Sequence, residues 1–403
     1  MTSRQLRWIV LFCCSTFVRA QAQDNSYSLS WKNGFKLERQ DAQFSFKLGG
    51  RIMVDHGFFS QDDDLDALYG PLLASSGTEF RRGRMYISGN LYSNIEFKLQ
   101  AEFVGGTISL KDAYLGIRDI PLLGTLRVGH LKEPLRLSGL TSSNNNTFME
   151  RSFMMAFSQT RNNGALIFND FVNKRISYQL GYFRNGDANG NNFAVNDGYV
   201  VTGRVSGLPI HEQESKQLLH LGFGYSYRKP STSDYRIAAR PEAHLSTRKY
   251  VNTGLIEAVD QVQLTTVEAA YVRGSLTVQG EYMLADINAR MNYAFHTYYG
   301  QVSYFLTGEH RPYKSSYGGF NRLKPKRNFS GKGTGPGAFE VALRYSYANL
   351  NDQDLIGGEQ DDVTLGLNWY LNPATRIMFN HIWTDVKQAG KATVFQLRFQ
   401  IDF

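Results

Sequence analysis

Residues 393–403 read Thr-Val-Phe-Gln-Leu-Arg-Phe-Gln-Ile-Asp-Phe, and from Phe395 onward large apolar side chains alternate with polar ones. Successive side chains of a β-strand point to opposite faces, so this pattern predicts a strand with one apolar and one polar face. A chain that ends on such a strand with an aromatic residue is typical of an outer-membrane β-barrel, which has lipid outside and water inside. Over so short a stretch, an amphipathic edge strand of a soluble β-sandwich is the alternative.

The N-terminus has the features of a secretory signal. Basic residues precede the largely apolar stretch 8–18, and Ala-Gln-Ala at 20–22 provides a small-residue cleavage site. We therefore predict a signal peptide at 1–22. Both cysteines of the chain, Cys13 and Cys14, lie in this segment. The mature chain would then have no thiol for disulfides, catalysis or metal binding.

The mature chain is predicted to be mildly basic. The whole chain has 44 Lys and Arg against 36 Asp and Glu, and Arg4, Arg7 and Arg19 leave with the signal, so the net charge falls to about +5. This charge suits an anion pathway better than a nucleic-acid-binding protein, whose basic residues would cluster in one domain.

No apolar run after the signal is long enough for a transmembrane helix, so a membrane crossing would require a closed sheet. Stretches of about ten residues with period-2 alternation predict sixteen strands, and the even number places both barrel ends in the periplasm. The predicted strands are 43–59, 79–92, 93–104, 109–118, 124–131, 163–170, 174–184, 198–206, 217–229, 259–272, 275–288, 293–307, 337–350, 361–371, 374–386 and 392–403. We therefore predict an all-β protein with a 16-stranded antiparallel transmembrane β-barrel at 43–403, after a short periplasmic segment at 23–42.

The connections differ in length in the way that such a barrel requires. The long stretches 60–78, 132–162 and 230–258 follow odd strands and are predicted to be extracellular. The stretch 308–336 follows an even strand, so it is predicted to be long and yet periplasmic. Because 132–162 follows the fifth strand, where porins often fold a loop inward, we expect it to narrow the pore.

The clearest candidate site is basic. Phe-Arg-Arg-Gly-Arg at 80–84 opens the second predicted strand, and alternation places Arg82 on the water-facing side with Arg51 of the neighbouring strand. Arg81 would share that side only if the strand is bulged there. Arg151, in the expected inward loop, is the predicted constriction residue.

Guanidinium groups stay charged and offer forked donors that match oxyanions, so a wall of arginines favours anions and repels cations. The alternative is that these arginines only balance acidic residues through salt bridges inside the barrel, as in a general, weakly selective diffusion porin. An outer-membrane barrel enzyme is a third possibility, but the sequence has no Gly-x-Ser-x-Gly elbow, His-Glu-x-x-His pair or phosphate-binding loop. We predict no cofactor, metal site or catalytic residue.

Several motifs together resemble one family. They are Phe-Ser-Phe-Lys-Leu-Gly-Gly-Arg at 44–51, Phe-Arg-Arg at 80–82, Glu-Arg at 150–151, Leu-Thr-Gly-Glu at 306–309 and Gly-Ala-Phe-Glu at 337–340. In this combination the mature chain resembles the phosphate-selective porin O and P family. The resemblance implies a homotrimer of 16-stranded channels in the Gram-negative outer membrane that passes phosphate or related anions. The expected partners are those anions, the lipid bilayer and lipopolysaccharide, and the barrel-assembly machinery through the C-terminal strand, but no nucleic acid.

The resemblance also implies roles for individual residues. The central anion-binding arginines of the family match Arg51, Arg81, Arg82 and Arg151. An extracellular arginine ladder matches Arg236 and Arg240, and periplasmic lysines that draw the anion out match Lys314 and Lys324. The chain departs from the family at Ser138-Gly139, where the family has a central-site lysine. This departure bears on phosphate selectivity rather than on anion preference.

Overall fold

The computed structural model describes residues 26–403 except 188–189, 192–197, 316–317, 332 and 334, so the predicted signal peptide lies outside the described residues. Within this part of the chain, no helix is long and apolar enough to cross a membrane. Sixteen long strands form an antiparallel sheet that closes on itself, because the last of these sixteen strands pairs with the first of them. The predicted 16-stranded antiparallel barrel is confirmed.

The strands, numbered in chain order, are β1 Tyr27–Trp31, β2 Phe35–Arg39, β3 Ser45–Gln61, β4 Ser76–Leu91, β5 Ile95–Glu102, β6 Ser109–Ile120, β7 Gly124–Lys132, β8 Arg161–Phe171, β9 Ile176–Arg184, β10 Tyr199–Glu212, β11 Gln217–Lys229, β12 Ala238–Ala239, β13 Val251–Asn252, β14 Gln261–Arg273, β15 Leu276–Asn288, β16 Asn292–Phe305, β17 Tyr313–Lys314, β18 Gly319–Phe320, β19 Ala338–Asp352, β20 Leu355–Tyr370, β21 Thr375–Val386 and β22 Gly390–Asp402. The described helices are α1 Asp63–Tyr69, α2 Leu137–Leu140 and a 3-10 turn at Phe153–Ala156. The barrel wall consists of β3–β11, β14–β16 and β19–β22. Each wall strand corresponds to one predicted strand.

The terminal strand β22 illustrates how alternation builds the wall. Phe395 and Phe399 are exposed on the outer surface, whereas Gln396 and Arg398 are buried in the interior. At the end of the strand, Phe403 exchanges two backbone hydrogen bonds of 2.6 and 3.0 Å with Gly50 of β3. The apolar face therefore meets lipid, and the polar face lines the lumen.

The predicted periplasmic segment before the barrel contains a β-hairpin. Strands β1 and β2 pair with each other, and β2 pairs with the first residues of β3, from Phe35 opposite Leu48 to Glu38 opposite Ser45. The hairpin therefore extends the sheet from the N-terminal end of β3.

Three connections fold into the barrel. We call 133–160 the constriction loop, 230–260 the outer loop and 306–337 the periplasmic connection. Each contributes buried apolar side chains, such as Leu137 in the constriction loop and Phe320 in the periplasmic connection. The constriction loop and the periplasmic connection meet inside the barrel, where Asn145 Nδ2 donates to the carbonyl of Phe320 at 3.3 Å. The inward fold that we predicted for the constriction loop is confirmed.

Buried charges fix the constriction loop to the wall. Arg398 of β22 forms a bidentate ion pair with Asp55 of β3, with both N–O distances at 2.6 Å. The same guanidinium donates to the Met149 carbonyl at 2.6 Å and to Glu150 at 2.9 Å. On the opposite side, Glu268 accepts the backbone N–H of Leu137 at 2.6 Å. The position of the loop thus depends on buried charges of the wall, of which Glu268 also forms an ion pair with Arg204.

Arg398→Gln should loosen this attachment, because it leaves Asp55 and Glu150 buried without their shared cation. We expect a loss of about 3–5 kcal/mol in the free energy of unfolding, as is typical when one member of a buried ion pair is removed. Urea unfolding in lipid vesicles measures this loss, with Arg273→Gln, a substitution at an exposed arginine, as the control. Equal stability of Arg398→Gln and the parent protein would contradict the assignment.

Candidate functional site

A cavity of about 560 Å³ lies between the wall strands β3–β8 and the constriction loop. Among the described residues that line it, ten are basic and two, Asp112 and Glu150, are acidic. The basic residues are Arg51, Arg81, Arg82, Arg84, Lys98, Arg127, Lys132, Arg151, Arg161 and Lys314. We call this space the basic cavity. All four arginines that the sequence placed at the centre line it.

Arg81 reaches the cavity because β4 is bulged. In the pairing of β3 with β4, Met53 lies opposite Arg82 and the next residue, Val54, lies opposite Phe80. Arg81 is the extra residue, so the alternation of the strand shifts at this point. Phe80 is consequently exposed on the outer surface while Arg82 faces inward. We predicted that Arg81 would face inward only if the strand is bulged there, and the structure has this bulge.

Half of the basic residues are balanced by carboxylates. Arg84 pairs with Glu102 at 2.5 Å, and Arg127 pairs with Glu96 at 2.5 Å. Asp112 is shared by two cations, with Lys98 at 2.5 Å and Arg161 at 2.7 Å. Arg81 is paired with Glu150.

Arg51 and Arg82 differ from these residues, because neither forms an ion pair with a carboxylate in the described part of the chain. Arg51 Nη1 donates to Ser143 Oγ at 2.8 Å, and its Nε is buried without a hydrogen-bond partner among the described residues. The Nε of Arg82 is likewise buried and without such a partner. Two guanidinium groups on adjacent strands therefore carry a charge that no carboxylate among the described residues cancels.

Glu150 is the acid that the constriction loop brings to the cavity. Arg81 donates two hydrogen bonds to this carboxylate, from Nε to Oε1 at 2.7 Å and from Nη2 to Oε2 at 2.9 Å. Burial alone would raise the pKa of the Glu150 carboxyl, but Arg81 and Arg398 outweigh burial and hold the pKa well below its usual range. Glu150 is therefore ionised and forms ion pairs with two arginines.

Arg151, the predicted constriction residue, also lines the basic cavity. Its Nε donates to the carbonyl of Ser138 at 2.6 Å, and its Nη2 donates to that of Thr141 at 2.7 Å. Burial lowers the pKa of Arg151 to about 9, an effect that Glu150 opposes. The group therefore remains charged at neutral pH, and its partners are carbonyls rather than carboxylates.

A second space, which we call the outer cavity, has a volume of about 310 Å³ and lies between the constriction loop and the outer loop. Glu150, Arg151 and Met155 line both cavities, so the two spaces adjoin at these residues, which we call the neck. Arg240, one of the two predicted ladder arginines, lines the outer cavity. Arg236 does not; it is exposed, and its Nε donates to Asn252 Oδ1 at 2.9 Å.

The structure also separates the two predicted periplasmic lysines. Lys314, on β17, is exposed and lines the basic cavity. Lys324 is exposed elsewhere on the periplasmic connection and is not among the lining residues of that cavity. The connection thus brings only one of them to the candidate pathway.

Ser138, which with Gly139 occupies the predicted position of the family lysine, is turned toward the wall. Its Oγ donates to Glu281 at 3.2 Å, and its backbone N–H donates to the same carboxylate at 2.8 Å. Lys132 instead supplies a cation nearby, with its Nζ 2.6 Å from the carbonyl of Gly139. No site role was predicted for Lys98, Arg127, Lys132 or Arg161, although alternation in the predicted strands 93–104 and 124–131 could have indicated which side Lys98 and Arg127 face.

A closed barrel of sixteen antiparallel strands, with a loop folded into its lumen, is the architecture of an outer-membrane porin. The matching family model extends over residues 46–403 and is described as phosphate-selective porin O and P. The chain belongs to this family. The fold and the family are those of channels rather than enzymes, and they locate the protein in the outer membrane.

Known proteins resemble the chain at modest identity. Porin O of Pseudomonas aeruginosa is 26% identical over 390 residues, which cover 86% of this chain and 84% of that protein. An uncharacterized protein of Caulobacter vibrioides is 28% identical over 397 residues, covering 93% of this chain and 77% of that protein.

Solved structures confirm the fold. An anion-selective porin from Comamonas acidovorans has a TM-score of 0.59 at 15% identity, over 89% of this chain and 100% of that chain. The trimer form of OmpT from Vibrio cholerae has a TM-score of 0.55 at 11% identity, over 89% of this chain and 99% of that chain. At these identities the likeness concerns the fold alone.

Arg82 offers a direct test of the basic cavity. Arg82→Glu should lower the anion-to-cation permeability ratio roughly tenfold, because it reverses a charge in a passage where solvent screens it weakly. Arg82→Lys should keep chloride passage but weaken block by oxyanions, since the charge stays and the fork is lost. Reversal potentials in planar bilayers measure both effects.

The matched control is Arg273→Glu, which makes the same charge reversal at an exposed residue outside the lining of the basic cavity. It should leave the reversal potential unchanged. If Arg82→Glu also shows the parent reversal potential, Arg82 does not face the conducting path.

Proposed function

We propose that this porin is a passive, anion-selective channel whose pathway runs through the basic cavity. The observation that carries the proposal is the charge of the lining, with ten basic and two acidic side chains among the described residues. In a narrow passage with low-dielectric walls, such an excess of one sign concentrates the opposite ion and repels its own. Anions would therefore pass more readily than cations.

Within this pathway we assign the central anion site to Arg51, Arg82 and Arg151. The first two project from adjacent strands, and the third comes from the constriction loop. The side chains of all three lack carboxylate partners in the described part of the chain, so their charge is not cancelled locally. Guanidinium donors match the geometry of an oxyanion better than that of chloride.

We infer that the physiological solute is phosphate or a related oxyanion. The support for this inference is the description of the family and the likeness to porin O. Ser138-Gly139, at the predicted position of the family lysine, favours weaker phosphate selectivity than a lysine there would give. We also propose a homotrimer, supported by the family resemblance and by the trimer form of OmpT among the structural neighbours.

A general, weakly selective diffusion porin is the second candidate. Its support is that Arg81, Arg84, Lys98, Arg127 and Arg161 are each paired with a carboxylate. Paired charges add less to selectivity than free ones. The two candidates therefore differ in whether Arg51, Arg82 and Arg151 dominate the pathway.

Reversal potentials in a potassium chloride gradient across planar bilayers test the proposal, followed by titration of phosphate into chloride solution. An anion-selective channel gives a potential of the anion sign, and phosphate reduces its chloride current in a saturable way. A potential near zero would contradict the proposal and favour the general porin. An anion-selective potential without phosphate block would keep the anion channel and exclude phosphate as its preferred solute.

The two lysines of the periplasmic connection provide a matched pair of variants. Lys314→Gln should lower the conductance in potassium phosphate roughly twofold, because it removes a cation from the path by which the anion leaves the site. Lys324→Gln removes the same charge from the same connection but outside the basic cavity, so it should leave the conductance unchanged. If Lys314→Gln and the parent channel have equal conductance, Lys314 is only a solvated surface charge with no role in the pathway.

A further inference from the structure

The outer cavity differs in chemistry from the basic cavity. Half of its lining residues are apolar, and they come from the 3-10 turn of the constriction loop and from the outer loop. These apolar residues are Phe153, Met155, Ala156, Ala238, Ala239, Pro241 and Ala243. A space of about 310 Å³ with an apolar wall and a few charged groups has the size and character of a small-molecule site.

The apolar wall is built into the interior of the protein. Phe153, Ile237 and Ala239 belong to one buried hydrophobic cluster that joins the constriction loop to the outer loop. The hydroxyl of Tyr235, in the outer loop, donates to the carbonyl of Phe157 in the constriction loop. The wall is therefore packed from behind, and its apolar side chains do not depend on a ligand for support.

The charged residues at the outer cavity have an excess of cations. Glu242 is tied to Arg344 of β19, and Glu150 is tied to Arg81 and Arg398. These three arginines line no part of the outer cavity. The negative charge of both acids is therefore neutralised by cations outside that cavity. Because both acids of the lining already have cation partners outside the cavity, they do not balance the cations that line it.

Three cations remain at the cavity. Arg151 stands at the neck, Arg240 donates to the carbonyl of His244, and Lys249 is exposed. None of the three forms an ion pair with a carboxylate among the described residues. The outer cavity therefore combines a fixed apolar wall with a net positive charge.

We propose that the outer cavity binds small organic anions, namely carboxylates or phosphate esters that carry an apolar body. The apolar body packs against Met155, Ala156 and Pro241, and the anionic group lies toward Arg151 and Arg240. A bare inorganic anion gains nothing from an apolar wall, because it loses hydration there without a hydrogen bond in return. An organic anion gains the hydrophobic contribution in addition to the charge attraction.

This proposal rests on the anion pathway of the proposed function and adds a substrate class to it. Because the neck residues Glu150, Arg151 and Met155 line both spaces, a solute held in the outer cavity is already next to the basic cavity. The outer cavity would select the solute by its apolar body, and the basic cavity would pass it by its charge.

Current block in planar bilayers tests the proposal with benzoate and formate, two monocarboxylates that differ in the apolar body, added to both sides in chloride solution. Benzoate should reduce the chloride current at concentrations at least about tenfold lower than formate, because its ring adds apolar contact area. Benzamide, which has the ring without the charge, should not block in the same range. Block by benzoate that is no stronger than block by formate overturns the proposal.

Met155→Gln tests whether the wall is responsible. Glutamine keeps a similar length and can still accept from Arg136, whose Nη2 lies 3.5 Å from the Met155 sulfur. The benzoate-to-formate discrimination should fall about fivefold in this variant through lost apolar contact. The matched control is Leu255→Gln, a substitution at an exposed apolar residue of the outer loop that does not line the cavity, and it should leave the discrimination unchanged.

Folding of each variant is checked by heat-modifiable migration on gels, and Ala156→Ser serves as a milder wall variant if Met155→Gln does not fold. Failure of the anion pathway and failure of the organic-anion site give different results. A reversal potential near zero in the parent channel would overturn the anion pathway itself. An anion-selective parent whose benzoate discrimination survives in the wall variants would overturn only the organic-anion site.

Discussion

In the hydrocarbon of a bilayer, backbone N–H and C=O groups have no water to bind, and this constraint shapes the whole molecule. A sheet can satisfy them only when its edges meet, as β22 and β3 do along the register from Ala392 to Asp402. Closure also sorts the side chains, since every second residue must then face lipid and every other one the lumen. The buried charges of the wall, such as Arg398 and Glu268, therefore lie in the lumen, where they must be balanced or used.

Inside the barrel some cations are paired with carboxylates and others are not, and this difference provides the site. Carboxylates such as Asp55, Glu268 and Glu281 hold the constriction loop through Arg398 and through the backbone of Leu137 and Ser138. Others neutralise arginines of the wall. Because these acids are occupied in structural contacts, Arg51 and Arg82 remain without a carboxylate partner in the described part of the chain. The same charges that position the loop thus leave a basic pathway beside it.

Much of this arrangement could be predicted from the sequence, because the side chains of a strand have a period of two. The sixteen strands, the inward side of Arg82 and the lipid-facing side of Phe395 all follow from that period. The bulge at Arg81 does not follow from it, since a bulge depends on how β4 pairs with β3. Likewise, both Lys314 and Lys324 lie in an aperiodic connection, and only its path through the barrel decides which of them reaches the cavity. The outer cavity could not be foreseen for the same reason, because it forms where two irregular loops pack together.

The central claim is that anions occupy the basic cavity, and anomalous diffraction tests it most directly. Crystals soaked in bromide should show an anomalous peak inside the cavity, within hydrogen-bonding distance of the Arg51 or Arg82 guanidinium. Parallel soaks in rubidium should show no peak there. A rubidium peak in the cavity with bromide absent would contradict the account, because the arginines would then not set the sign of the ion that the channel holds.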